Sequence, residues 1–495
     1  MRLKGIKPMA SANSTPQSKP NDSGNSDSSA NSVQGKQKPA AENRLLNRGM
    51  SSLLCVSFLG AANDNILKQI LTLMVVVGGV WVNALGNGTQ GFIALVLAIP
   101  FILLSGFAGQ LADKYSKATV ITWVKIAEIP IAALAAIGLL LGNFWISIFA
   151  LLLFAIQSSF LGPAKFGIIP ELVPAKKLSQ ANGLMLALTN VGVILGSVLA
   201  GPLADMYYPT ETQALTSTIK GAASEDEPTT SDEPSEGEIV FVPHSVKSPR
   251  KSPAGLTLIT IAILGLAAVL WLPKLKPASP NRKLSLDIFS SHRETFRNAD
   301  KTLLVVLTSW SGFYLVASLA LLLLPEFRST LGVDNTKMSL IVGLLGVSIA
   351  IGSCCAGFLS RDKIRPYFSL AGATGMTVAF FLMGLLPINY LGLATLVFLI
   401  GFFAGFYIVP LQSLLQYLAP EDERGRFFGT ANALSFTFIS LGAIIFLVLS
   451  FYGLTPAHVA LFCGGFSLIG TIVGGTAMKQ ILKARDAHGQ VNSDS

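Results

Sequence analysis

The chain of 495 residues is apolar and sparsely charged: 51% of its residues are hydrophobic and 13% are charged. Soluble domains carry about 25% charged residues, so this composition excludes a cytosolic enzyme and a largely disordered protein. The remaining charge is basic, with 36 Lys and Arg against 27 Asp and Glu. In so apolar a chain this excess is typical of cytoplasmic loops rather than of a nucleic-acid-binding surface.

Polar stretches divide the chain. Residues 1–43 contain no aromatic residue and are rich in Ser, Asn and Gln, which predicts a disordered cytoplasmic tail. Residues 206–253 form an acidic loop that we expect outside the cytoplasm. Residues 274–301 form a basic cytoplasmic central loop, in which Leu284–Phe296 suits a short helix on the membrane surface. Residues 483–495 are predicted to form a second cytoplasmic tail.

Twelve apolar stretches approach the length of about 20 residues that a membrane span requires. Basic residues recur in alternate loops, which places both termini in the cytoplasm. The predicted fold is all-α and polytopic, with six-helix bundles at 44–273 and 302–482. The shortest connections, near Gly142 and Asn389, are the weakest divisions. The predicted spans are 50–81, 91–112, 118–141, 144–168, 178–205, 254–273, 302–325, 337–360, 367–388, 391–418, 427–452 and 456–482.

The two predicted bundles resemble each other in sequence at an offset of about 250 residues. Each recurring motif falls between the same pair of helices in both halves, and six plus six helices in parallel repeat is the arrangement of major facilitator transporters. One position differs, because Arg361 stands where the first half has an aspartate. The repeated motifs are Leu172-Val-Pro-Ala-Lys with Leu418-Ala-Pro-Glu-Asp, Gln180-Ala-Asn-Gly-Leu with Thr430-Ala-Asn-Ala-Leu, and Gly109-Gln-Leu-Ala-Asp with Gly357-Phe-Leu-Ser-Arg.

A glycine and charged residues around the loop after the second span suggest a cytoplasmic gate. Gly109 permits close helix approach, and Asp113 and Lys117 follow it. We expect Asp113 to pair with the positive N-terminus of the eleventh helix, or with Arg424 or Arg426. Such a pair would break when the carrier opens inward. The alternative is a turn with solvated charges.

Charged and amide residues inside the apolar spans are candidates for a substrate or gating site. Asn63, Asp64 and Asn65 interrupt the first span, and a charge at that depth costs about 2.5–3.5 kcal/mol on insertion scales, so it must face protein or a water-filled cavity. Lys68 lies four residues further on, on the same helical face, and can partner Asp64, unless the partner comes from another helix. The alternative is a self-contained structural pair.

Further polar residues join these candidates. Lys125 and Glu128 form a second expected pair, which could equally hold helices together. Lys165 either extends to the membrane interface or faces the cavity, where it would bind an anionic headgroup. The repeat-related amides Asn182 and Asn432 could hydrogen-bond across the bundle. Weaker cavity candidates are Gln157, Gln412 and Gln416.

These motifs together resemble the bacterial lysophospholipid transporters of the major facilitator superfamily. The points of likeness include Phe58-Leu-Gly-Ala-Ala-Asn-Asp-Asn, Gly162-Pro-Ala-Lys-Phe-Gly and Ala181-Asn-Gly-Leu-Met. The resemblance implies movement of lysophospholipids across the inner membrane for reacylation. It also implies an acyltransferase–acyl-carrier-protein synthetase as partner. One departure concerns the seventh helix, where the family places an arginine opposite Asp64; here Trp310–Pro325 is uncharged and Ala317 takes its place.

Two other classes of function remain as alternatives. One is an exporter or symporter of a small or amphipathic solute on the same fold, or a sensor built on it. The other is a membrane-bound acyltransferase, which the four histidines disfavour because none begins a His-x4-Asp pair. The four cysteines lie in apolar runs without a CxxC pair. The sequence therefore predicts no catalytic residue, no metal site and no cofactor.

Overall fold

The computed structural model describes residues 44–75, 81, 89–207, 253–285, 287, 289–333, 335–361 and 363–491. These ranges contain helices and turns and no β-strand. The predicted tail 1–43 and all but the ends of the predicted acidic loop lie outside the described residues.

Twelve helices of at least 16 residues run through the described ranges, and we number them in chain order. Shorter helical segments connect them at Ile169–Leu172, Ala175–Lys177, Ser290–Asn298, Leu324–Glu326 and Phe327–Leu331. The twelve are α1 (Arg48–Val75), α2 (Thr89–Lys114), α3 (Lys117–Leu140), α4 (Phe144–Gly167), α5 (Leu178–Tyr207), α6 (Ala254–Val269), α7 (Lys301–Leu323), α8 (Asn335–Leu359), α9 (Tyr367–Leu385), α10 (Tyr390–Leu418), α11 (Arg424–Phe451) and α12 (Pro456–Val491).

Ten of the described helices are long and apolar enough to cross a membrane. The two exceptions are α1, whose 28 residues are interrupted by Asp64 and Lys68, and α6, which is apolar but has 16 residues. The all-α polytopic fold is confirmed, and spanning by α1 and α6 stays a prediction.

The described part of α1 ends at Val75, and residues 76–80 of the first predicted span lie outside the described residues. Two other predicted boundaries differ from the structure. The helix α12 continues to Val491 through most of the predicted tail 483–495. The short helix expected over Leu284–Phe296 begins only at Ser290. Its buried residues are Ser291 and Thr295. The polar face of this helix therefore packs against the protein, and the apolar residues Phe289 and Phe296, which suggested a membrane-facing surface, are exposed.

Asparagine caps explain why the two weakest divisions are real breaks between helices. Gly142 adopts a φ of 61°, and the Asn143 side chain then accepts a hydrogen bond from the Ile146 amide that begins α4. Asn389 caps α10 in the same way. Such caps satisfy amide groups that have no partner inside the helix, so both short connections end one helix and start the next.

The packing of the helices repeats between the two halves. In the first half α1 packs on α5, α2 on α4, and α3 on α6; in the second half the corresponding pairs are α7 with α11, α8 with α10, and α9 with α12. The halves meet mainly where α2 crosses α11 and where α5 crosses α8. The internal sequence repeat therefore corresponds to a repeat in three dimensions.

Glycines allow both of these crossings. A Cβ on Gly109 would lie 2.9 Å from the Cα of Arg426 at the α2–α11 crossing. A Cβ on Gly183 would lie 3.0 Å from the Cα of Gly357 at the α5–α8 crossing. Only hydrogen fits at these points, so the sequence permits the halves to close tightly at this end.

We predict that Gly183→Val prevents full closure of the α5–α8 crossing. Overpacking costs about 1–3 kcal/mol, which corresponds to a roughly 5- to 150-fold shift in a two-state equilibrium. Transport should fall by about that factor in a vesicle assay. Gly201→Val is the matched control, because Gly201 lies on the same helix with nothing within 4 Å of an added Cβ. Equal activity of the two variants would contradict the prediction.

Candidate transport pathway and gate

A cavity of about 790 Å³ lies between the two halves. Its lining comes from late residues of α1 and α5, such as Gln69 and Ser197, and from α7 and α8. It extends past the end of α7 to Arg328, which is exposed. Because α1 and α5 begin near the loop between α2 and α3, the cavity lies toward the opposite face. We call the face that carries that loop the Asp113 face.

The lining of this cavity is mostly apolar. Few of the lining side chains are polar, and the charged residue among them is Arg328. Ala317 also lines the cavity. The helix α7 therefore presents a methyl group at the position where the resemblance to lysophospholipid transporters led us to expect an arginine. A cavity of this kind suits the hydrocarbon part of an amphipathic molecule better than a strongly hydrated solute.

A buried polar cluster joins α1, α3 and α4. The Lys125 ammonium lies 2.5 Å from the Glu128 carboxylate, as the spacing predicted. The Asn63 amide donates to the other carboxylate oxygen at 2.9 Å, and Gln157 donates at 3.2 Å to the oxygen that Lys125 contacts. These four side chains are buried. A buried charge pair of this kind is retained when both partners are fully hydrogen-bonded.

Asp64 contacts α4 rather than its expected partner Lys68. The Ser158 hydroxyl donates to the Asp64 carboxylate at 2.7 Å, and the charges of Lys125 and Lys165 act on it. Among the described ion pairs none joins Asp64 to Lys68, so that predicted pairing is wrong. The physical reason is that a neighbouring helix brings a donor closer than the next turn of α1 does. Asn65 donates to the Ala61 carbonyl of its own helix.

Lys165 lies inside the protein near Asp64 rather than at the membrane interface. Its ammonium is 4.9 Å from the centre of the Phe166 ring, a cation–π distance. Phe166 in turn packs on Trp310 and Phe428 of the second half, with ring centres 6.3 and 5.7 Å away. Lys165 and Asp64 therefore carry opposite charges on α4 and α1 near the contact between the halves, and each influences the charge of the other without forming an ion pair among the described contacts.

The repeat-related amides connect the two halves. Asn182 on α5 donates to Ser413 at 3.0 Å and to Gln416 at 2.6 Å, and Gln412 donates back to it at 2.9 Å. All four belong to the buried polar residues. At the symmetry-related place, Asn432 on α11 donates to Ser105 on α2 at 2.9 Å. These residues bind helix to helix and do not line the cavity described above.

Asp113 closes the end of the protein opposite the cavity. Its carboxylate is buried and accepts hydrogen bonds from the amides of Gly425 at 2.6 Å and Arg426 at 2.9 Å. These amides belong to the first turn of α11, which carries partial positive charge. Asp113 thus acts as a cap supplied to a helix of the second half by a helix of the first.

The other predicted gate residues have different partners. Arg426 pairs through its side chain with Glu423 and Glu294, and Arg424 bonds the Gln416 carbonyl at 3.1 Å. Lys117 pairs with Glu171 at 2.7 Å within the first half. Of the alternative partners expected for Asp113, the structure shows the N-terminus of α11, whose amides occupy the carboxylate, while the side chains of Arg424 and Arg426 bind elsewhere.

The α5–α8 crossing has no equivalent carboxylate cap among the described residues. Arg361 adopts a φ of 52°, and its carbonyl accepts a hydrogen bond from Gln180 at 3.2 Å. A neutral bond thus stands where the other crossing has a charged one, and charge-assisted hydrogen bonds are about twice as strong. Asp362, the acidic residue next to Arg361, lies outside the described residues.

Sequence reasoning missed several residues of this site. Ser105 and Ser158 gave no signal, since small polar residues are common in membrane helices. His292 and Glu294 were treated as loop residues, yet Glu294 binds Arg426 at the gate. Burial raises the pKa of the Glu294 carboxyl, but the hydrogen bond and charge of Arg426 and the charge of Arg282 outweigh it and hold the pKa below its ordinary value.

A repeat of six and six helices, with a cavity toward one face and a latch at the other, is the architecture of membrane carriers built from two parallel repeats. The chain belongs to the Major Facilitator Superfamily, whose sequence profile matches residues 51–216 and 251–447. The protein is a multi-pass membrane transporter of this type.

Two relatives and one solved structure show which members of the superfamily this chain is similar to. The chain is 27% identical over 420 residues to the lysophospholipid transporter LplT of Pectobacterium carotovorum, covering 83% of this chain and 87% of the relative. It is 27% identical over 423 residues to LplT of Cronobacter sakazakii, covering 83% and 89%. Among solved structures, the major facilitator transporter FucP in the outward conformation superposes with a TM-score of 0.63 at 16% identity, over 86% of this chain and 97% of FucP.

Proposed function

We propose that this protein carries lysophospholipids across the bacterial inner membrane by alternating access and so supplies them for reacylation. The observation that carries this proposal is the cavity of about 790 Å³, whose lining is mostly apolar and includes Arg328 as its charged side chain. A lysophospholipid has one acyl chain and a charged headgroup. The cavity offers the acyl chain an apolar wall, and in this proposal the headgroup binds Asp64 and Lys165, which carry opposite charges on α1 and α4 outside the cavity lining.

The relatives support the substrate class, since both are named lysophospholipid transporters. In this proposal the Asp113 face is cytoplasmic and both termini lie in the cytoplasm, as the basic loops indicate. The described conformation is then closed to the cytoplasm, with its cavity toward the outer leaflet. The reacylating enzyme of the proposed pathway would be an acyltransferase–acyl-carrier-protein synthetase.

Uptake of labelled lysophosphatidylethanolamine by spheroplasts that lack their own transporter tests the proposal. We expect uptake to depend on expression of this chain. Background uptake, with the protein folded in the membrane, would contradict it. That outcome would favour an exporter or symporter of another amphipathic solute, which the uncharged stretch Trp310–Pro325 and Ala317 in the cavity also fit.

We predict that Lys165→Gln weakens lysophospholipid recognition. A hydrogen bond to a charged group contributes about 1.5–3 kcal/mol, so KM should rise by about 10- to 100-fold while kcat changes less. Lys165→Arg is the control that keeps the positive charge and should retain most of the affinity. If Gln and Arg variants have the same KM as the wild type, Lys165 does not bind the headgroup.

A further inference from the structure

The segment between α6 and α7 binds the first half at the Asp113 face. The Ser279 amide donates to the Asp113 carbonyl at 2.8 Å. The Ser285 amide donates to the side-chain oxygen of Gln110 on α2 at 2.9 Å, and Gln110 donates back to the Ser285 carbonyl at 3.4 Å. These bonds fix the segment along the end of α2 rather than leaving it as a free linker.

The same segment also binds the second half, through the short helix Ser290–Asn298. His292 shares a hydrogen bond of 3.0 Å with the Thr430 hydroxyl on α11, and Thr430 donates to Thr295 at 3.1 Å. Thr295 is fully buried. At the helix end, Asn298 donates to Glu423 at 3.3 Å. The face of this helix that looks polar in the sequence is therefore its packing face.

A chain of alternating charges runs through the segment from α2 to α11. Arg282 lies 3.6 Å from the Asp113 carboxylate and 3.1 Å from Glu294, and Glu294 pairs with Arg426. Asp113 and Arg426 are fully buried, so this series of charges lies against the α2–α11 crossing, which we call the seam between the halves, rather than in open solvent. Networks of partly buried charges hold geometry better than isolated surface pairs.

A plain connection between the bundles needs no contact with the seam. This one spans the α2–α11 crossing and bonds to both sides of it, so separation of the two helices must break its bonds to one side. We propose that residues 279–298 form a strap that holds the Asp113 face closed and raises the free-energy cost of opening there. His292, Glu294 and Thr295 are then positioning residues of the transport cycle.

The proposal rests on alternating access and not on the substrate, so its test uses a readout that needs no lysophospholipid. Ser105 is buried at the α2–α11 crossing, and a cysteine there should react with a soluble maleimide only when the helices part. The assay uses Ser105→Cys in full-length protein in nanodiscs, with the four native cysteines replaced by serine. Nanodiscs leave both faces accessible, so the assay does not depend on orientation.

Two loosening variants should raise the labelling rate. Glu294→Gln breaks the charge chain with little change in shape, and Thr295→Val removes the hydroxyl contact with Thr430. Loss of one to two hydrogen bonds of about 1 kcal/mol each should raise the rate about 5- to 30-fold. Arg297→Ala is the matched control, because Arg297 is exposed on the same helix; it should label like the Ser105→Cys parent.

The labelling rates show whether the strap holds the Asp113 face closed. Asp113→Ala serves as the positive control that the probe reports opening. Parent-like labelling in both loosening variants, beside fast labelling in Asp113→Ala, would overturn the strap. Faster labelling in Arg297→Ala equal to that in Glu294→Gln would also overturn it, because the effect would not depend on the seam contacts. Failure of lysophospholipid uptake would leave these rates unchanged and bears only on the substrate.

Discussion

Asp64→Asn should reduce transport to a small fraction of the wild-type rate while leaving the protein folded in the membrane. Asparagine keeps the shape of the side chain and an oxygen that accepts the Ser158 hydrogen bond, which is 2.7 Å long in the native protein. It removes the negative charge that faces Lys125 and Lys165. Interactions of a charged hydrogen-bonded group contribute about 1.5–3 kcal/mol, so we expect transport to fall by about 10- to 100-fold. Uptake at matched expression measures this.

Asn65→Ala is the matched control for Asp64→Asn. Asn65 is the next residue on α1, and its side chain bonds only the Ala61 carbonyl among the hydrogen bonds of the described chain. We expect it to transport at close to the wild-type rate. Wild-type transport by Asp64→Asn at equal expression would show that the carboxylate has no part in gating or substrate binding.

Asp113→Ala should shift the resting protein toward the state that is open at the Asp113 face. The substitution leaves two amides at the start of α11 without their acceptor, and each unsatisfied buried group costs about 1–3 kcal/mol. A loss of that size shifts a two-state equilibrium by about 5- to 150-fold. Labelling of Ser105→Cys should become faster by a similar factor, and the cavity on the opposite face should become less accessible.

Lys114→Ala controls for the Asp113 substitution, because Lys114 is the next residue and contacts only the Tyr115 ring among the interactions of the described chain. It should label at the parent rate. Unchanged accessibility on both faces in Asp113→Ala would mean that the cap on α11 does not hold the gate.

The parts of the fold that follow from local sequence were predictable. Membrane spans depend on hydropathy and length, and the repeat placed the same motif between corresponding helices of each half. Lys125 and Glu128 are three residues apart on one helix, so their pairing needed no tertiary knowledge. Asp113 was predicted to pair with the positive N-terminus of α11 or with Arg424 or Arg426, and the first of these alternatives is what the structure shows.

Contacts that depend on how helices are rotated were not predictable from one sequence. Asp64 and Lys68 share a helical face, but rotation of α1 against α4 brings Ser158 to the carboxylate instead. The strap was hidden for a related reason. Its helix packs through Ser291 and Thr295, while its aromatic residues are exposed. The rule that apolar residues mark the buried face assigns such a helix to the membrane surface.

The most direct measurement of the central claim is movement of a fluorescent lysophosphatidylethanolamine across proteoliposomes that contain only the purified protein. Back-extraction with albumin would report how much lipid has changed leaflet at each time. The account predicts movement well above that of protein-free liposomes, and its loss in Asp64→Asn. Movement no faster than in protein-free liposomes, with the reconstituted protein shown to be folded, would contradict it.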